Sequence, residues 1–174
     1  MPDSFILRDW QSFYMLAGTA SATLMGLVFI AISFGARLVP TQADSSVRAF
    51  VVPTIIHFGM VLSLSILTVI PTYTTPWLSI MLIVVGGIGI RYALGVLRQL
   101  LLHHQKERAL NTHHWSWHLI FPMLSYFVIF ATGIGLFFGL WWLLNLLALA
   151  VTGLIIIGLR NTFDLMMWIV KQPI

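Results

Sequence analysis

Residues 115–159 read WSWHLIFPMLSYFVIFATGIGLFFGLWWLLNLLALAVTGLIIIGL, with no Asp, Glu, Lys or Arg anywhere in the stretch. As one straight α-helix it would be roughly 67 Å long, over twice the ~30 Å hydrocarbon core of a bilayer. It must therefore fold back. Gly139, flanked by Trp141 and Trp142, is the expected reversal, because glycine admits turn conformations and tryptophan favours the membrane–water interface. The reading is two spans, about 115–138 and 140–159, followed by an apolar extension over 160–170.

Working back toward the N-terminus, three more stretches reach the ~20 apolar residues that a spanning helix needs. The first runs over about 11–38 and ends before Pro40, which disfavours helix at the residue preceding it. The second runs over 46–70, between a capping region at Asp44-Ser45 and a stop at Pro71. The third covers 77–102, after the turn-like Pro71-Thr72-Tyr73-Thr74-Thr75-Pro76. The expected fold is all-α: a polytopic transmembrane helical bundle of five spans forming one domain over 1–174. Four spans plus a re-entrant segment is the alternative.

Composition agrees. Of 174 residues, 59% are hydrophobic and 8% charged, against about 25% charged in soluble domains. So few charges cannot build a polar shell, and lipid is the solvent that accepts such a surface. The first apolar run lacks a positive leader and a cleavage site, so it is expected to be retained. With no cysteine, neither a disulfide framework nor a thiolate metal site is possible.

The charge pattern orients the chain. With loops assigned alternately to two sides, Arg8 stands on one side. Arg37, Arg48, Arg91, Arg98, Lys106, Arg108, Arg160 and Lys171 fall on the other. The positive-inside rule then puts the N-terminus out and the C-terminus in the cytoplasm. The net charge of +4 reads as membrane orientation, and no nucleic-acid partner is expected. The lipid bilayer is the first partner.

Polar residues at depth are costly and are therefore the candidates for function. His57 lies roughly 16 Å beyond Ser46, near the expected midplane. Tyr126 reaches a similar depth from the same side, so a His57–Tyr126 hydrogen bond is geometrically allowed. Pro53 loosens the helix one turn before the imidazole. Histidine can relay protons, gate a pore or ligate a metal, or simply pack as a neutral side chain. Arg91 can snorkel to the near interface, or pair with Asp164, for which Arg160 competes on its own helix.

The histidines His103, His104, His113, His114 and His118 flank the loop between the third and fourth stretches. They make zinc, copper or haem a weak alternative; the loop holds no His-Glu-x-x-His signature, and no cofactor is expected. Paired carboxylates, a nucleotide loop and a nucleophile–base set are all missing, so the chain is not expected to be an enzyme.

In the first stretch, Gly18, Ala22 and Gly26 recur every four residues and share a helix face with Phe29 and Ser33. Small residues at that spacing let helix backbones approach closely in lipid, within one protomer or between protomers. The run ASATLMGLVFIAIS over 20–33, with its A-x-L-x-G-L-x-F-x-A-x-S pattern, resembles the first helix of a family of small uncharacterised bacterial inner-membrane proteins. Arg160-Asn161-Thr162-Phe163-Asp164-Leu165 resembles their closing segment. The resemblance covers about a fifth of the chain; it implies a bacterial inner membrane and supplies no activity. The leading functional expectation is a homo-oligomeric channel or pore for ions or small solutes. The alternatives are a non-catalytic accessory subunit that binds another membrane protein, and a histidine-based metal or haem protein.

Overall fold

A computed structural model describes residues 3–35, 44–70, 74–103 and 120–170. Every described element is a helix: α1 Asp3–Gly35, α2 Asp44–Val69, α3 Thr75–His103, α4 Phe121–Phe137 and α5 Leu143–Val170. Four of them, α1, α2, α3 and α5, are long and apolar enough to cross a membrane, and α4 is a shorter apolar helix of 17 residues. At 1.5 Å per residue α4 spans about 26 Å, slightly less than a typical hydrocarbon core. Outside the helices' mutual contacts the surface is apolar, with Leu16, Phe29, Ile66, Ile88, Phe127, Leu149 and Ile156 among its exposed side chains. Lipid is the medium in which such a surface is stable.

The reversal falls where the length argument requires it. Gly139 is the one non-helical glycine with positive φ, at 72°. The Leu140 N–H donates to the Gly135 carbonyl (3.0 Å) and the Gly139 N–H to the Leu136 carbonyl (3.1 Å). That pair of bonds is the Schellman closure, which satisfies carbonyls left over at a helix end and needs a left-handed residue after the cap. A Cβ on Gly139 would meet nothing within 4 Å, so a substitution there is opposed by backbone conformation alone. Gly139→Val is expected to lower unfolding stability by about 1–2 kcal/mol. Thermal melts in lipid nanodiscs check this against Gly95→Ala, where a Cβ also meets nothing.

The other boundaries differ modestly from the sequence reading. α1 begins at Asp3 rather than near 11, so the polar stretch through Asp9 is helical too. The extension over 160–170 is no separate tail: α5 runs unbroken to Val170. Helix continues there because nothing between Gly158 and Val170 breaks it, Asn161 is buried and Leu165 packs inside.

Helices adjacent in sequence are antiparallel. Ser21 on α1 donates to the Phe58 carbonyl on α2 at 2.6 Å, while Gly18, earlier on α1, abuts Ser65, later on α2. Gly86 of α3 lies against Phe130 of α4, and Gly133 lies against Ile83 and Ser79. Two hairpins result, α1–α2 and α3–α4. α5 fills the space between them, packing on α2 and α4 and more lightly on α1, while α2 and α3 touch only lightly. The core along these contacts includes Tyr14, Val61, Leu64, Leu82, Ile129, Leu147, Val151 and Leu154. One end of the bundle, where α1 and α3 finish and α2 and α4 begin, carries Arg48, Arg98 and Arg160; it is the basic end.

Candidate functional site

The light contact between α2 and α3 leaves a cavity that α4 closes from behind. It is lined by Pro53 and His57 of α2, Tyr92, Ala93 and Val96 of α3, and Pro122 and Tyr126 of α4, with room of about 20 Å³. That is space for roughly one water molecule. Three of its seven residues carry polar groups; the other buried polar side chains of the described residues are Ser21, Thr54, Ser65, Ser79, Ser125, Thr132 and Asn161. Serine and threonine hydroxyls elsewhere bond largely to carbonyls of their own helices, as Ser79 does to Thr75 and Thr132 to Val128; this is the usual way a spanning helix satisfies them.

Each polar residue has a local reason for its position. Pro53 lies inside α2, where it offers no N–H and deprives the Ala49 carbonyl of its helical donor. His57 follows one turn later and is 1% exposed. It lies nine residues beyond Arg48, about 13 Å along the axis and just short of a bilayer midplane. Tyr92, half-buried, lies six residues before Arg98, about 9 Å from it along α3. Tyr126 is wholly buried, five residues into α4. Its ring lies directly over Gly89 of α3, where any side chain would overlap it. Glycine at 89 therefore sets how closely α3 can approach the tyrosine.

His57 and Tyr126 meet, as their expected depths allow, but as rings. Their centroids are 6.1 Å apart and their planes are inclined by 29°. The Tyr126 hydroxyl has no hydrogen-bond partner among the described residues, so the His57–Tyr126 hydrogen bond is not formed. A buried hydroxyl without a partner costs about 1–3 kcal/mol, so the Tyr126 Oη favours a polar occupant of the cavity. Neither Tyr92 nor the cavity itself is evident from the sequence. The signal that could have found Tyr92 is its place three residues after Gly89 and six before Arg98, which sets it at the level of Tyr126.

No family model, curated protein or solved structure matches the chain. The site is therefore read from its own geometry.

The remaining candidates are dispersed. Arg91 is exposed on α3 and makes no ion pair among the described residues, and Asp164 is half-buried on α5, a helix with which α3 has little contact. The clamp between the two is not formed. His103 ends α3, and His104, His113, His114 and His118 lie outside the described residues. Among the described residues no three His, Cys, Asp or Glu side chains gather to hold a metal.

The small residues of α1 divide. Gly18 is buried, and a Cβ on it would come 2.8 Å from the Ser65 Cβ. Ala22, Gly26, Phe29 and Ser33 are exposed. The division follows from helix geometry: a four-residue step turns 40° past a full circle, so a stripe that starts inward at Gly18 has rotated outward by Gly26. The outward residues fall into a different series. Ser12, Thr19, Gly26 and Ser33 recur every seven residues, with Met15, Ala22 and Phe29 between them, and all seven are exposed. A seven-residue repeat drifts only ~20° per step, so these positions form one continuous seam along the helix.

Proposed function

We propose that the protein is a small homo-oligomeric membrane channel or pore for ions or small solutes, with its pathway between protomers. The observation that carries this reading is the outward seam of α1. Its seven-residue positions hold Ser12, Thr19, Gly26 and Ser33, all small or hydroxyl-bearing. Such a seam admits a second helix at short distance. The hydroxyls of Thr19 and Ser33 donate to Met15 and Phe29 carbonyls of their own helix, both at 2.8 Å, and keep acceptor lone pairs turned outward. A passage through one protomer has far less support, since the cavity beside His57 holds about one water. The membrane is a bacterial inner membrane with the N-terminus outside, a placement supported by the charge asymmetry and the resemblance of the first helix.

Native mass spectrometry from nanodiscs, paired with ion flux into liposomes over a pH series, tests the proposal. A defined oligomer together with flux above empty liposomes is expected. A strictly monomeric protein in tight liposomes at every pH would end the reading.

A second reading is a non-catalytic subunit that binds another membrane protein. What favours it is the basic end of α5, where Phe163, Met166 and Met167 are exposed on a helix that runs beyond the length needed to cross. This reading expects a monomer without flux and one reproducible membrane partner in pull-downs.

A further inference from the structure

We infer that the cavity bounded by His57, Tyr92 and Tyr126 is a hydration site. It holds a water molecule that hydrogen-bonds the Tyr126 hydroxyl and is reached from the basic end of the bundle. The inference is independent of whether the protein conducts.

Three observations converge on it. The Tyr126 hydroxyl is wholly buried and has no partner among the described residues. The cavity that Tyr126 lines has room of about 20 Å³, which matches the space one water requires. A site that retains water also needs two or more polar neighbours, and His57 and Tyr92 line the same space. A void bounded only by Ala93, Val96 and the two prolines would be expected to stay dry.

Access follows from where the lining residues lie. Pro53, Val96 and Pro122 are closer to the basic end than the three polar residues are. Val96 is two residues from Arg98, Pro53 is five from Arg48, and Pro122 is the second residue of α4. Arginines mark the level at which a spanning helix meets headgroups and water. Pro53, Tyr92 and Val96 are half-buried, so the cavity reaches the molecular surface rather than being sealed. One water here would lie among polar residues of three helices, about 9 Å along α3 from Arg98 and about 13 Å along α2 from Arg48.

The test separates a wet cavity from a dry one. If the cavity is wet, Tyr126→Phe strips the water of a partner, and Ala93→Val displaces the water and strands the hydroxyl. Each should lower the melting temperature in nanodiscs by about 2–4 °C. Ala93→Val should cost clearly less in the Tyr126→Phe background, where no hydroxyl is left to strand. If the cavity is dry, the signs reverse: both single variants hold or raise the melting temperature and the effects add, and that result overturns the inference. Should Ala93→Val fail to fold, a structure in lipid at water-resolving resolution decides. Density within hydrogen-bonding distance of the Tyr126 Oη supports the hydration site, and its absence there rejects it.

Discussion

Gly86→Ala is expected to destabilise the bundle by about 1–3 kcal/mol, the range for overpacking a close contact, although it adds a single methyl to a helix that alanine intrinsically favours. The Cβ would sit 2.6 Å from the Phe130 N and 2.8 Å from its Cα. Both are backbone atoms, so no rotamer change relieves the clash and α3 must move away from α4. The same contact is tight from the other side, since a Cβ on Gly133 would lie 2.8 Å from the Ile83 N and 2.9 Å from the Ser79 carbonyl oxygen. The neighbouring Gly87 supplies the control. A Cβ there meets nothing within 4 Å, so Gly87→Ala should gain the helix propensity, up to about 1 kcal/mol. Adjacent glycines on one helix thus respond with opposite signs. Melting temperatures of the two variants in nanodiscs check this, and equal shifts would mean that α3 and α4 do not approach as described.

The close approach of α3 and α4 also sets the cavity. It is what lets Tyr126 lie over Gly89 and lean toward His57 on a third helix. A bundle with α3 displaced would lose the Tyr126–Gly89 contact and widen the cavity, so Gly86→Ala should also change the behaviour of Tyr126. Packing and site are coupled through two glycines three residues apart.

How much of this the sequence disclosed follows from the physics of lipid. The number of helices among the described residues and the reversal at Gly139 were legible, because the bilayer fixes the length of a span and an uncharged run twice that long has to turn. The common level of His57 and Tyr126 was legible too, since helical rise converts residue number to depth. The pairing of helices was not. In water one apolar face of a helix points inward, but here lipid-facing and protein-facing sides are both apolar, so hydrophobic periodicity carries little information. Small residues are the remaining signal, and they were followed on α1, where the i+4 series rotates from the buried face to the exposed one. Gly86 and Gly89 on α3 held the more decisive information about contact. The ring-to-ring meeting of His57 and Tyr126, in place of a hydrogen bond, depends on side-chain directions that depth does not specify. The Arg91–Asp164 pair failed for a related reason: lying toward the same side of the membrane does not make two helices neighbours.

Gly26→Ile is expected to separate assembly from folding. A Cβ at Gly26 meets nothing within 4 Å, and the seam around it is exposed, so the protomer has no contact to lose. Replacing glycine in a helix interior should if anything stabilise the isolated protomer by a few tenths of a kcal/mol. A second α1 docked on the seam would meet the branched side chain at the point of closest approach. Association should then weaken by at least about tenfold, the equivalent of 1.4 kcal/mol. The expected result is an unchanged or slightly higher melting temperature, a shift of the native mass from oligomer to monomer, and loss of liposome flux in the same preparation. Gly26→Ala should fall between wild type and Gly26→Ile, because one methyl only partly fills the gap. If Gly26→Ile stays oligomeric with undiminished flux, the seam is a lipid-facing surface and the pathway between protomers must be sought elsewhere. A melting temperature that falls together with the oligomer would instead place Gly26 inside the protomer's own packing, contrary to the open space beside it. The three readouts together assign Gly26 to one surface, since lipid, protomer and partner each predict a different combination.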